Sequence, residues 1–385
     1  MDAKTYLTKK SFCTLPWTGV YIQPDGDVRN CAITKTTIGN INEQPLEDIL
    51  RGPDNQTIKQ DMLNDVMHER CGQCHRLESH QKNHFDQVSN RVWYLKKLKT
   101  TDMTVFDEPT NFQLKMLDLR WKNTCNFACV YCDPSLSSRW AVELGQPQRI
   151  DSDALAGSLD YIYNNLHTVD HIYLAGGEPL LIRENLVLLT KMLDINPDIE
   201  LRINTNLSVI HNDIYNLIKQ FSNVHWTVSI DNIGDQFEYL RYGSNWPQFL
   251  NNLNQLTKDF NKINFNAVWC VLNSKSVFEF IDYFIGLGYH ENTFIVNPLE
   301  YPTWLDINNL PEQQLDDIRK ELELRIEHTD PHFCLNNSLR LMLNFISNSD
   351  FNKDLNETVA NLAPIDLRRN LNSKHLFPEL YTCSK

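Results

Sequence analysis

From residue 111 to about 300 the chain alternates six times between short apolar runs and longer amphipathic ones. The strand-like runs are 112–121, 171–175, 200–206, 224–231, 263–272 and 292–299. The helix-like runs are 135–144, 152–166, 183–195, 212–221, 246–260 and 276–287. Asn212 and Ser276 read as helix caps, and Gly286 and Gly288 as stops. A repeated strand–helix unit buries a parallel sheet beneath its helices. The chemistry of such a fold gathers at the carboxyl ends of the strands. Run 224–231 alternates cleanly, with Val224, Trp226, Val228 and Ile230 on one face. His225, Thr227, Ser229 and Asp231 share the other.

The first strand-to-helix connection reads N-T-C-N-F-A-C-V-Y-C-D, from Asn123 to Asp133. Cys125, Cys129 and Cys132 are spaced by four and three. Three thiolates on one short loop can hold three irons of a cubane iron–sulfur cluster, leaving the fourth iron open; such clusters usually take four cysteines. A zinc loop and three unrelated thiols are the alternatives. Zinc normally needs a second cysteine pair nearby, and none follows closely.

A second cysteine group precedes the alternating region. Cys13 and Cys31 bracket a predicted β-hairpin in which Val20 and Ile22 alternate with their neighbours and Pro24-Asp25-Gly26 makes the turn. A short helix is predicted over 45–50 and another over 55–67. Cys71-Gly72-Gln73-Cys74 then forms a C-x₂-C knuckle. Cys13, Cys31, Cys71 and Cys74 can close a metal site completely. By spacing alone, zinc and iron–sulfur are equally good occupants. Residues 86–110 read as a helical connector and a polar linker, and 301–385 as a mostly helical extension interrupted at Pro364 and Pro378.

A chain of 385 residues has room for two or three domains. Its ten cysteines, without an apolar leader in Met1–Lys10, fit metal binding in a reducing compartment better than a disulfide framework. No run approaches the about eighteen apolar residues of a membrane span. A net charge of −13 argues against an extended nucleic-acid surface. A cytoplasmic protein is expected.

Cys125-x₃-Cys129-x₂-Cys132 with Tyr131 before the last cysteine resembles the signature of the radical S-adenosylmethionine (SAM) superfamily. Further matches follow in order over roughly residues 111–300. Gly176-Gly177-Glu178-Pro179 resembles the family's second motif, Ser229-Ile230-Asp231 ends a later strand, and Arg241 lies ten residues on. The cysteines at 13, 31, 71 and 74, with P-D-G-x-V and I-G-N-I between them, resemble the auxiliary-cluster modules called SPASM and twitch. Four cysteines fit the one-cluster twitch type, and here the module precedes the core.

The resemblance implies an α/β fold: a partial (β/α)₆ barrel over 111–300, after a small α+β auxiliary-cluster domain over 1–85. It implies a [4Fe-4S] cluster with an open iron site on Cys125, Cys129 and Cys132, SAM at that iron, and a second auxiliary [4Fe-4S] cluster. Gly176, Gly177, Glu178 and Pro179 would receive the SAM methionine, Glu178 accepting its ammonium. Ser229 and Arg241 would hold its carboxylate, Asp231 the ribose or the substrate, and Asn206 a further polar contact. Tyr131 would lie near adenine. Cys270, placed by the strand reading on one face with Asn264 and Asn266, is a candidate hydrogen-atom donor; as a buried small hydrophobe it has a structural reading too. The implied activity is radical generation followed by hydrogen abstraction from a peptide or protein side chain. A small molecule such as a sugar, nucleoside or amino-sugar is the second substrate reading, and a non-catalytic metal-cluster scaffold the third. A flavodoxin or ferredoxin would be the reductant.

Overall fold

The computed structural model describes residues 9–34, 36–79, 89–97, 103–146, 152–347 and 355–381. Parts of the predicted connector, 86–88 and 98–102, lie outside them. The chain divides into two compact units. The first comprises Met1–Asn126, Pro134–Asn204 and Val209–His225; the second comprises Phe127–Asp133, Thr205–Ser208 and Trp226–Lys385.

In the first unit the strands are β1 (Gly19–Ile22), β2 (Asp27–Arg29), β3 (Gly39–Asn40), β4 (Met116–Leu119), β5 (His171–Leu174) and β6 (Glu200–Thr205). They lie in the order β3-β2-β1-β4-β5-β6. The predicted hairpin is β1–β2, antiparallel, and Gly26 closes its turn at φ +86°, a conformation that favours glycine. Strand β1 then pairs in parallel with β4, and β4, β5 and β6 continue in parallel. The cysteine-rich module therefore extends the sheet of the following region instead of folding apart from it. One row across this sheet is Tyr21, Asp118, Tyr173 and Arg202, one residue from each of four adjacent strands.

Helices Leu46–Arg51 and Pro53–Leu63 cover the hairpin. Phe12, Trp17 and Phe106 pack there with ring centroids 5.4–5.8 Å apart. The fully buried Lys59 enters this cluster. Its Nζ donates to Asn111 O at 2.8 Å and lies 5.8 Å from the Trp17 ring and 5.6 Å from Phe112. Burial, helped by the charge of Arg51, pulls its ammonium down to about 7.

The second unit holds β7 (Val224–Ser229), β8 (Ile263–Trp269) and β9 (Phe294–Pro298), with β7–β8 and β8–β9 parallel. Phe265 of β8 packs on Phe284 at 4.9 Å and Phe294 at 5.4 Å, which seats helix Ser276–Gly286 on the sheet. Helix Trp246–Asp259 buries Phe249, Asn252, Leu253 and Leu256 at spacings of three, one and three, the apolar stripe of an amphipathic helix. Asn212 caps its helix as predicted, accepting from Tyr215 N at 2.9 Å. Ser276 does not cap: its Oγ accepts from Asn232 Nδ2 at 2.8 Å, and Lys275 takes the cap position.

Each predicted strand and helix of the alternating region is present, the strands shorter at one or both ends. Helix Gly234–Leu240 is additional. Only seven residues long and opened by Gly234 at φ +56°, it shows no helical period in sequence. The extension contains helices Glu312–His328, Cys334–Ser347 and Leu355–Arg369. Pro364 lies inside the last helix instead of interrupting it. It is exposed, so the carbonyl it leaves unbonded faces water. Ser338 Oγ accepts from Val296 N at 3.0 Å, covering the outer edge of β9. Among the described residues no helix is long and apolar enough to cross a membrane.

Lys59 generates a pH signature. Its folded value is depressed, so the unfolded chain holds more protons between about pH 7 and the ordinary lysine range. Stability from this group therefore rises with pH across that window. In urea denaturation of metal-free protein, Lys59→Met should be at its best relative to wild type near neutrality and fall behind as pH rises. A pH-independent difference between the two proteins would contradict the buried-ammonium account.

Candidate active site

In the first unit, the start of the cysteine loop is fixed by helix Ser138–Glu143. Ser138 N donates to Asn123 O at 2.6 Å. Ser138 Oγ accepts from Cys125 N at 3.0 Å and donates to Cys125 O at 3.1 Å. Asn123 Nδ2 donates to Pro134 O at 2.8 Å. Ser138 was missed in sequence; its signal is a serine pair opening a helix six residues past the last cysteine.

Gly176 and Gly177 lie against the same segment. Gly176 has φ +108°, and a Cβ there would stand 3.1 Å from Arg120 Cα. A Cβ on Gly177 would stand 2.2 Å from Thr124 O. Glu178 N donates to Thr124 O at 2.7 Å. The glycines thus admit the backbone of 120–124, which seats Cys125. Glu178 is fully buried, and its Oε1 accepts from Leu180 N at 3.2 Å, capping the 3₁₀ turn Pro179–Leu181.

In the second unit, residues 127–133 run beside 240–242. Ala128 N donates to Tyr242 O and Val130 N to Leu240 O, both at 2.8 Å, and Cys132 N closes a turn on Cys129 O at 2.9 Å. Beneath them Asp231 is fully buried. Its Oδ1 accepts from Arg241 Nη2 at 3.0 Å and Val268 N at 2.8 Å. Its Oδ2 accepts from Tyr131 Oη at 2.7 Å and faces Arg241 Nε at 2.9 Å. Burial opposes the Arg241 charge, but Asp231 beside it holds the guanidinium above its ordinary range. Burial likewise raises Tyr131, the Arg241 charge opposing this and that of Asp231 adding to it. Cys129 is raised by burial too, Arg241 opposing.

Three hydrogen bonds and the Arg241 ion pair hold the Asp231 carboxylate in place. The guanidinium of Arg241 engages Asp231. Buried charges demand such pairing. Ser229 ends β7 half-buried, in register with Asn266 of β8. Asn206 is buried and its Oδ1 accepts from Ser208 N at 2.9 Å, shaping a turn in which Leu207 has φ +57°. Strand β8 ends at Trp269, so Cys270 does not continue its face. Cys270 is fully buried, shares a reciprocal capping box with Asn273, and burial pushes its thiol up to about 12.

Cys13, Cys31, Cys71 and Cys74 all line one apolar cavity of about 30 Å³ in the first unit. Burial pushes the Cys71 thiol up to about 12, with Cys31 and Cys74 adding to it, and raises Cys13, with the other three adding. Thiols that hinder one another's ionisation fit a bound cation, which reverses that effect. The four thiols gather on one cavity, and cysteine thiolates are the donors that an iron–sulfur cluster takes.

A family model for the radical SAM superfamily matches residues 120–283, and one for the SPASM iron–sulfur cluster-binding domain matches 13–75. Residues 120–283 thus form a radical SAM domain. The chain's N-terminal module carries the match to the SPASM iron–sulfur cluster-binding domain. Radical SAM domains bind a [4Fe-4S] cluster and SAM, and SPASM domains bind auxiliary iron–sulfur clusters. An uncharacterized protein of Methanocaldococcus jannaschii is 28% identical over 191 residues, 47% of this chain and 62% of that protein. Native anSMEcpe with bound AdoMet is similar at 16% identity and a TM-score of 0.41, over 55% of this chain and 60% of that one. Streptococcus suis SuiB bound to precursor peptide SuiA has 16% identity and a TM-score of 0.41, over 71% and 60%. The chain thus spans about three-fifths of the length of these relatives.

Two substitutions probe this radical SAM site. Asp231→Asn leaves a buried guanidinium without its charge partner and should destabilise the metal-free protein by about 3–5 kcal/mol in urea denaturation. Adding Arg241→Met should recover part of that loss; a single variant within about 1 kcal/mol of wild type would show that the pair does not carry the loop. Gly177→Ala drives a methyl into Thr124 O. After anaerobic reconstitution it should lose most iron of the Cys125 loop while keeping that of the SPASM domain. Full iron content would mean that the segment yields freely.

Proposed function

We propose that the protein is a radical SAM enzyme that abstracts hydrogen from a C–H bond in a peptide or protein side chain. The observation that carries the first part is the cysteine loop, with Thr124 O bonded to Glu178 N and Tyr131 bonded to Asp231. When bound, a cluster with an open iron and SAM together supply a 5′-deoxyadenosyl radical. The chain's own residues orient that chemistry. Cys125, Cys129 and Cys132 would ligate three irons, as three of the usual four thiolates do. Glu178, held at the end of β5, would accept the SAM ammonium in a charge-assisted bond. Asp231 acts as a positioning residue that fixes Tyr131 and Arg241, and Ser229 and Asn206 supply polar contacts toward SAM. Cys270 would reach a substrate radical only by leaving its capping box with Asn273.

Cys13, Cys31, Cys71 and Cys74 would hold an auxiliary cluster. A SPASM domain joined to a radical SAM domain favours a peptide substrate over a sugar or nucleoside, as the resemblance implies. SuiB is described with its precursor peptide SuiA, and a peptide is the substrate class proposed here. A flavodoxin or ferredoxin would deliver the electron.

Anaerobic reconstitution should give about eight irons per chain, two cubanes, and dithionite with SAM should release 5′-deoxyadenosine. Replacing Cys125, Cys129 and Cys132 by Ala should remove about half of the iron and all of the 5′-deoxyadenosine. Full iron content with no 5′-deoxyadenosine from the wild type would make the protein a scaffold.

A further inference from the structure

The row Tyr21, Asp118, Tyr173, Arg202 forms part of a polar interior that the radical chemistry above does not use. In the first unit, Asp118, Arg120, Tyr173 and Arg202 line a cavity of about 300 Å³ with Trp93 and Tyr94 of helix Asn90–Lys97. Ala32, the residue after Cys31, forms another wall. A cavity of this size takes a small ligand or one residue of a longer one.

The cavity carries more cationic donors than anionic acceptors. Asp118 is engaged by Arg120, whose Nε and Nη2 donate at 3.1 and 3.4 Å. Glu200, behind the wall, is engaged by Arg202 Nε at 2.8 Å, Lys97 Nζ at 2.8 Å and His171 Nδ1 at 3.4 Å. Both carboxylates are therefore paired with cations. Among the described residues, neither Nη of Arg202 nor Nη1 of Arg120 has an acceptor. The phenols of Tyr94 and Tyr173 have no hydrogen-bond partner there either. Two guanidiniums and two hydroxyls thus offer donors to one space. Three cations, Lys97, Arg120 and Arg202, face two carboxylates, so the local charge is positive. The guanidiniums are held in place by rings: Arg120 lies 4.9 Å from Tyr21 and 5.7 Å from Tyr173, and Arg202 lies 5.0 Å from Trp93. Planar forks fixed this way match a carboxylate.

We propose that this cavity is a carboxylate-binding subsite, which seats an acidic group of the substrate beside the SPASM cysteines. As a substrate subsite it rests on the radical SAM reading; as a carboxylate site it rests on the cavity alone.

Isothermal titration calorimetry on the anaerobically reconstituted protein tests it with three probes: the capped tripeptide acetyl-Gly-Glu-Gly-amide, its Gln counterpart, and glutarate. A hydrogen bond to a charged group contributes about 1.5–3 kcal/mol, so the Glu peptide should bind at least about tenfold more tightly than the Gln peptide. Arg202→Gln should remove that preference, Arg202→Lys should keep part of it, and Tyr94→Phe should weaken it a few-fold, all with unchanged circular dichroism. Tighter binding of the peptide assigns the acid to a peptide residue, and tighter binding of glutarate assigns it to a free small acid; both support the site. Equal binding of the Glu and Gln peptides, no binding of any probe at about 10 mM, or an Arg202→Gln protein that still prefers Glu would overturn it. Dithionite-driven 5′-deoxyadenosine release, assayed without probe in the same preparation, separates the two readings. Release without probe binding ends the subsite alone. Probe binding without release ends the radical reading alone.

Discussion

A carboxylate cannot be buried alone, and Asp231 is completely buried. That constraint organises the second unit. Desolvating an ion is repaid only by close partners, and Asp231 recruits them from three places. Tyr131 comes from the cysteine loop, Arg241 from the end of helix Gly234–Leu240, and Val268 N from β8. Because Asp231 lies two residues past the end of β7, the loop is pinned to the carboxyl ends of two adjacent strands. Tyr131 sits between Cys129 and Cys132, so the hydroxyl contact fixes the thiols on either side. The ordered motif of aromatic before cysteine has a mechanical meaning here: the ring reaches down to a buried anion.

The extension beyond residue 301 supports this pin from behind. Asp366 accepts from Tyr239 Oη at 2.8 Å, and Arg369 lies 4.4 Å from the Tyr242 ring. Tyr239 and Tyr242 flank Arg241 and its neighbours in sequence. Helix Leu355–Arg369 therefore braces the strip of backbone that bonds Ala128 and Val130. In the first unit the equivalent constraint is steric. Gly177 is glycine because Thr124 O occupies the place of its Cβ, and the resulting contact sets Glu178 N on that same carbonyl.

The features legible in sequence were those with a period or a fixed spacing. Six strand–helix alternations, the hairpin around Gly26 and both cysteine groups all have such signals, and all are present. Readings failed where a tertiary partner overrode local pattern. Ser276 looks like a cap, but Asn232 takes its hydroxyl. Pro364 looks like a break, but its exposed position lets the helix continue. Cys270 looks like the next inward residue of β8, but the Asn273 capping box ends the strand one residue earlier. The resemblance gives Arg241 and Asp231 separate ligand contacts, and it does not show that they also pair with each other. Their mutual pairing depends on a fold that brings residues ten apart to within 3.0 Å, and no one-dimensional pattern records which polar group another has already engaged.

The cavity lined by Asp118 and Arg202 was invisible for a related reason. Tyr21, Asp118, Tyr173 and Arg202 come from segments spread over about half of the chain, and each looks like an isolated polar residue in an apolar run. Strand register alone aligns them. Once they are aligned, counting donors and acceptors becomes decisive. Each carboxylate here pairs with a cation, Asp118 with Arg120 and Glu200 with Arg202 and Lys97, and guanidinium N–H groups are left over. Planar forks held in that state are complementary to a further carboxylate.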